Sequence, residues 1–107
     1  MYDDGYLRVE HQSFYVSCGG RPLYHLSHRE FLILSRLARS AGRRVTKEQI
    51  WDSVWGDTAA FNARNCRVHI ANLRRKLAPF DLDIIAMVNV GYRLERIDAH
   101  GERDGQV

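Results

Sequence analysis

The chain has 107 residues, enough for one domain and not for two. Hydrophobic residues make up 45% and charged residues 27%, with a net charge of +3, an ordinary globular mixture. No apolar run approaches the roughly 20 residues that span a bilayer, and Asp3, Asp4, Arg8 and Glu10 rule out a signal-peptide core, so a cytoplasmic setting is expected.

Residues 6–26 read as strands. Tyr6 to Glu10 is short and partly alternating, and Phe14, Tyr15, Val16, Ser17 and Cys18 are rich in strand formers. Gly19 and Gly20 are a two-residue hairpin signal, after which Leu23, Tyr24, His25 and Leu26 return. Pro22 cannot donate to a ladder, so it belongs at a strand start or on an edge. Ser27 and Glu30 then form a capping box, with Phe31, Leu34, Leu37, Ala38 and Ala41 following at helical spacing until Gly42 stops the helix. Thr46 and Gln49 repeat the device. They open a short helix with Ile50, Trp51, Val54 and Trp55 facing inward, closed by Gly56.

Residues 57–61 read as a loop. Asn62 caps a third helix that runs to about Ala78, with Pro79 as its stop signal. Residues 82–88 are apolar and rich in branched side chains. Residues 91–95 read as the returning strand of a hairpin. Residues 98–107 are polar, with Gly101 and Gly105, and read as a frayed tail. The domain is thus expected over residues 1–97. Strands, three helices and a terminal hairpin predict an α+β winged helix-turn-helix: an N-terminal antiparallel sheet, a three-helix core and a C-terminal β-hairpin wing.

On a helical wheel of residues 62–78, Cys66, Ile70, Leu73 and Leu77 fall within about 60° of one another and must face the core. Opposite lie Arg64, Arg67, Val68, Ala71, Asn72, Arg74 and Arg75. Between Asn62 and Leu77 stand Arg64, Arg67, Arg74, Arg75 and Lys76 with no acid among them. Such a face repels itself and forgoes the usual i,i+4 pairs. It has the chemistry of a major-groove helix: arginine clamps guanine or phosphate, asparagine pairs with adenine, and an exposed valine meets a thymine methyl.

Four blocks stand in order along the chain: Leu26 and Ser27 with Glu30 and Phe31; Thr46 to Ile50 with Val54, Trp55 and Gly56; Arg64, then Val68 to Ile70, Leu73, Arg74, Lys76 and Leu77; and Gly91 to Leu94. In these blocks the chain resembles the effector domain of OmpR/PhoB-type response regulators. The resemblance implies transcription control in a bacterial two-component system, by a head-to-tail pair of domains on direct repeats of double-stranded DNA. It implies a polymerase-contact loop at Asp57, Thr58, Ala59, Ala60 and Phe61. It also places Val68 and Asn72 near bases, Arg64, His69 and Arg74 near phosphates, and Tyr92 on the backbone as a wing contact. The basic chemistry adds Arg75 to the base contacts, and Arg67 and Arg93 to the phosphate contacts.

Two departures stand out. The family's wing commonly carries Thr-Val-Arg-Gly before its turn, where this chain has Ala86, Met87, Val88 and Asn89. Val88 replaces the arginine that enters the minor groove, while Asn89 still tolerates a positive φ. A commonly acidic position of the recognition helix is Arg67 here, which strengthens phosphate attraction and its salt dependence.

No cofactor or metal is expected. Cys66 and His69 lie at i,i+3 without a second ligand pair, and Cys18 and Cys66 read as buried free thiols. His25 and His28 read as surface groups. Glu30, Glu48 and Ser27 are explained by capping, and neither a phosphate-cradling loop nor a nucleophile elbow is present, so no enzyme is expected. Two functional readings stand: a sequence-specific transcription-factor domain, and a winged-helix protein-interaction module that has lost specific DNA reading, motivated by Val88.

Overall fold

The computed structural model describes residues 1–56 and 60–97. The expected tail at 98–107 lies outside the described residues. Strands β1 (Tyr2–Asp3), β2 (Leu7–Glu10), β3 (Tyr15–Cys18) and β4 (Arg21–Pro22) form an antiparallel sheet in that spatial order. Cys18 faces Arg21 across a two-residue turn in which Gly19 and Gly20 take φ of 58° and 82°. Two successive positive φ values define the hairpin turn that matches strand twist, and glycine adopts them without steric cost.

The structure corrects the sequence expectation at three places here. β1 was not foreseen, because a two-residue strand has no periodicity to detect. β3 starts at Tyr15, since Phe14 takes φ of 56°. The returning strand ends at Pro22 instead of continuing to Leu26: proline gives the ladder no N–H, and His25 turns the chain at φ of 69°. Pro22 does lie on the edge strand.

Helix α1 (His28–Arg39) starts at the Ser27 capping box. Ser27 Oγ accepts from the Glu30 N–H at 3.1 Å, and the Ser27 N–H donates to Glu30 Oε1 at 2.9 Å. Ala41 lies beyond the helix, exposed and at φ of 52°, so it does not extend the apolar stripe. The short strand β5 (Val45–Thr46) leads into α2 (Lys47–Val54), where Thr46 and Gln49 make the second capping box with bonds of 3.0 and 2.9 Å. Ile50 and Trp51 are buried. Val54 and Trp55 are only half-buried, and Trp55 stacks on Trp51 with ring centroids 4.1 Å apart.

Helix α3 (Ala63–Leu77) is capped by Asn62, whose Oδ1 accepts from the Asn65 N–H at 3.0 Å. It runs into a 3-10 turn, Ala78–Phe80, that holds Pro79. Strands β6 (Leu82–Met87) and β7 (Gly91–Arg96) form the wing, with Val88 in the turn and Asn89 at φ of 61°. β7 is the central strand of a second sheet and pairs with β5 as well as β6. That junction requires glycine. A Cβ on Gly91 would lie 2.0 Å from the Val45 carbonyl oxygen, well inside contact distance.

The core sits between the two sheets and the helices. Leu7 and Val9 from β2, Ile33, Leu34 and Leu37 from α1, the buried face of α3, and Ile84 and Leu94 from the wing are all in it. Each such aliphatic side chain contributes about 1.5–3 kcal/mol by leaving water. The whole is an α+β winged helix-turn-helix.

Candidate nucleic-acid interface

Burial of Cys66, Ile70, Leu73 and Leu77 fixes the rotation of α3 about its axis. Arg64, Arg67, Val68 and Arg75 are thereby exposed, with Ala71 and Asn72 half-buried among them. Val68 keeps 48% of its surface in water, in the middle of the polar face. Arg75 donates through Nη2 to Asn72 Oδ1. The carbonyl oxygen of an amide has a second lone pair, so this pairing orients Asn72 while leaving its donor and acceptor sides usable.

Of the five basic residues of α3, Arg75 is spent on Asn72 and the other four divide into two sets. The side chains of Arg64 and Arg67 have no ion pair or hydrogen bond with any described residue. Arg74, expected at a phosphate, instead donates from Nε and Nη2 to the Ile84 carbonyl at 3.1 and 2.6 Å, with Nε 3.3 Å from Asp83 Oδ1. Lys76 Nζ donates to Glu30 Oε1 at 2.6 Å and to the His25 carbonyl at 2.7 Å. The Glu30 side chain is only 5% exposed. Burial alone would raise its carboxyl pKa. The hydrogen bonds from Lys76 and the Ser27 N–H, with the Lys76 charge, outweigh burial and hold it below the ordinary value.

His69 lies half-buried at the junction of α2 and α3. Its Nδ1 is 2.9 Å from the Asn65 carbonyl and, facing an acceptor, carries the proton. The ring meets Trp55 edge to face at 5.3 Å, and Arg29 covers the same indole at 5.2 Å.

The wing presents two different faces, because alternate residues of a strand point to opposite sides. Tyr92 and Leu94 turn toward the helices, and Tyr92 is only 8% exposed. Arg93 turns the other way and pairs with Glu95 at 2.8 Å. Tyr92 and Arg93, both expected at phosphates, therefore do not share a surface. Burial, and after it the neighbouring Cys66, push the Tyr92 phenol above its ordinary pKa, against the opposing charges of Arg67 and Arg74. The hydroxyl thus keeps its proton at neutral pH. Val88, at the tip, is 85% exposed.

Between α3 and the wing runs a groove of about 140 Å³ lined by Arg67, Met87, Asn89, Tyr92 and also Lys47. Lys47 was not among the expected site residues. It lies outside α3, and only the pairing of Val45 with Tyr92 and of Thr46 with Gly91 brings the start of α2 to the wing. Of the loop expected to meet a polymerase, Asp57, Thr58 and Ala59 lie outside the described residues. Ala60 and Phe61 are exposed, and Phe61 meets Trp51 edge to face at 5.5 Å. Both cysteines are buried free thiols, and burial pushes Cys18 up to about 11. Among the described residues, no three His, Cys, Asp or Glu side chains gather as metal ligands, and no helix is long and apolar enough to cross a membrane.

Residues 20–94 match the family model described as "Transcriptional regulatory protein, C terminal". The chain is similar to the sensory transduction protein RegX3 of Mycolicibacterium smegmatis, at 34% identity over 101 residues, covering 87% of this chain and 44% of RegX3. It spans less than half the length of the curated RegX3 relatives. The response regulator DrrB of Thermotoga maritima, described as an OmpR/PhoB homolog, matches at 31% identity and a TM-score of 0.65, over 86% of this chain and 42% of DrrB. The RstA DNA-binding domain of Klebsiella pneumoniae, solved in complex with the RstA box, matches at a TM-score of 0.70 over 90% of this chain and 95% of that one. At 24% identity it bears on the fold alone.

Proposed function

The chain belongs to the family of transcriptional regulatory protein C-terminal domains, of the OmpR/PhoB winged-helix type, and from that premise we propose that it binds double-stranded DNA sequence-specifically to regulate transcription. Helix α3 enters the major groove. The observation that carries this reading is its outer face: Arg64 and Arg67 with no ion pair among the described residues, beside an exposed Val68 and an Asn72 oriented by Arg75. Arginine supplies phosphate attraction, and Val68, Asn72 and Arg75 supply base-edge contacts. Tyr92 and His69 join the backbone contacts.

The full regulator acts as a head-to-tail pair on direct repeats, in the cytoplasm, and the loop containing the exposed Phe61 meets RNA polymerase. Family membership and the similarity to the response regulator DrrB support these assignments.

Selection of bound duplexes from a random pool tests the reading. Enrichment of one repeated sequence is expected. Salt-sensitive, sequence-blind retention, or none, overturns it in favour of a protein-interaction module, the alternative that the apolar wing tip at Val88 favours. In the selected site, Asn72→Ala is expected to relax preference at one base pair by about 1–3 kcal/mol. An unchanged preference profile removes Asn72 from base reading.

A further inference from the structure

The groove between α3 and the wing brings together three polar groups from three separate elements. Lys47 is the first residue of α2, Arg67 stands on α3, and Tyr92 is on β7. Tyr92 is more than nine-tenths buried, and its hydroxyl has no hydrogen-bond partner among the described residues. No side-chain polar atom of the described residues is both sealed from solvent and unpaired. The phenol therefore opens onto the groove rather than into the core. Lys47 and Arg67 likewise have no ion pair with a described residue. A protonated phenol and two cations converge on one small space with no acid lining it. That is the donor set for a tetrahedral oxyanion: two charges to neutralise it and one oriented hydroxyl to fix it.

We propose that Lys47, Arg67 and Tyr92 form a single phosphate seat, which holds one phosphodiester of the DNA backbone where the wing meets α3. The assignment rests on the DNA-binding reading above and adds to it a contact residue, Lys47, outside the recognition helix. The seat depends on how closely the wing approaches β5. Gly91, which tolerates no side chain against the Val45 carbonyl, sets that approach. The seat explains how this wing can hold DNA although its tip carries Val88 in place of a cation. The backbone is gripped at the base of the wing, and the tip is left to apolar contact.

Two arms test the seat with the whole chain. In the first, inorganic phosphate is titrated into isotopically labelled protein and followed by NMR. Saturable shifts are expected at Lys47, Arg67, Gly91 and Tyr92, and are expected to be lost in Arg67→Gln. In the second, the duplex selected from the random pool carries one neutral methylphosphonate at a time. Wild type is expected to weaken about three- to tenfold at the seat's position. Lys47→Gln, Arg67→Gln and Tyr92→Phe are expected to lose sensitivity at that same position and to keep it elsewhere. The double variant Lys47→Gln/Arg67→Gln is expected to lose less than the product of the single losses, since both cations address one anion.

Variants insensitive at different positions, or at none, overturn a shared phosphodiester, even where inorganic phosphate binds. Scattered or non-saturating phosphate shifts overturn the seat itself. A wild type that selects no duplex overturns the DNA-binding reading, and the phosphate arm then decides the seat alone.

Discussion

The two ends of α3 carry the same kind of side chain and use it differently. Near its N-terminus, Arg64 and Arg67 have no ion pair among the described residues, and Arg67 borders the wing groove. Near its C-terminus, Arg74 is tied to the Ile84 carbonyl and Asp83 on the wing, and Lys76 to Glu30 and the His25 carbonyl at the head of α1. In the proposed function the first end supplies the attraction for a polyanion, and at the second end only Arg75 faces it. The second end fixes the angle of the helix against the rest of the fold. A count of unopposed cations on a helical wheel merges these roles. Only the partners separate available charge from charge already neutralised inside the domain.

The widest gap between the two ends is expected from Lys76→Met. It removes the partner of a carboxylate that is almost fully buried, and is expected to cost about 2 kcal/mol in urea unfolding. That is less than a fully buried pair is worth, because the lysine end is 36% exposed and its attraction is screened. Glu30 has its folded pKa depressed. Its contribution is therefore complete above the ordinary carboxylate range and disappears as the pH falls through the lower folded value. Wild type and Lys76→Met are expected to converge in acid. A stability gap of the same size in acid and at neutral pH breaks the assignment of Lys76 to the structural end.

Local signals made one side of this contrast readable in advance. The stripe of Cys66, Ile70, Leu73 and Leu77 is a matter of helical period alone, and it set the outer face correctly. Both capping boxes and the Gly19–Gly20 turn are written in contiguous residues and appear as expected. What escaped needs distant partners. Lys76 meets Glu30 across 46 positions, and no local rule pairs them. The two-residue strands β1 and β5 exist only through their neighbours. Because β5 was not foreseen, neither was the approach of Lys47 to Tyr92. Arg93 was expected beside Tyr92 as a contact, although strand alternation sends the two to opposite faces.

Arg74→Ala sharpens the comparison at the wing. Its loss leaves the Ile84 carbonyl without its charged donor, and about 1–1.5 kcal/mol of stability is expected to go with it. The salt dependence of DNA binding is expected to change less than in Arg64→Ala. A full unit lost from the slope of log affinity against log salt, with stability unchanged, would move Arg74 to the phosphate-binding set.

Arg64→Ala is expected to have the smallest effect on the fold, within about 0.5 kcal/mol, because the side chain is exposed and tied to no described residue. On DNA it is expected to lower the salt slope by about one unit, through the counterions that one phosphate contact releases. A phosphate contact carries no base information, so the proportional loss should be equal on the selected duplex and on a scrambled one. A loss confined to the selected duplex would make Arg64 a base reader and place sequence recognition at both ends of the helix. An unchanged slope with unchanged stability would leave Arg67 and the wing groove as the source of the attraction at this end.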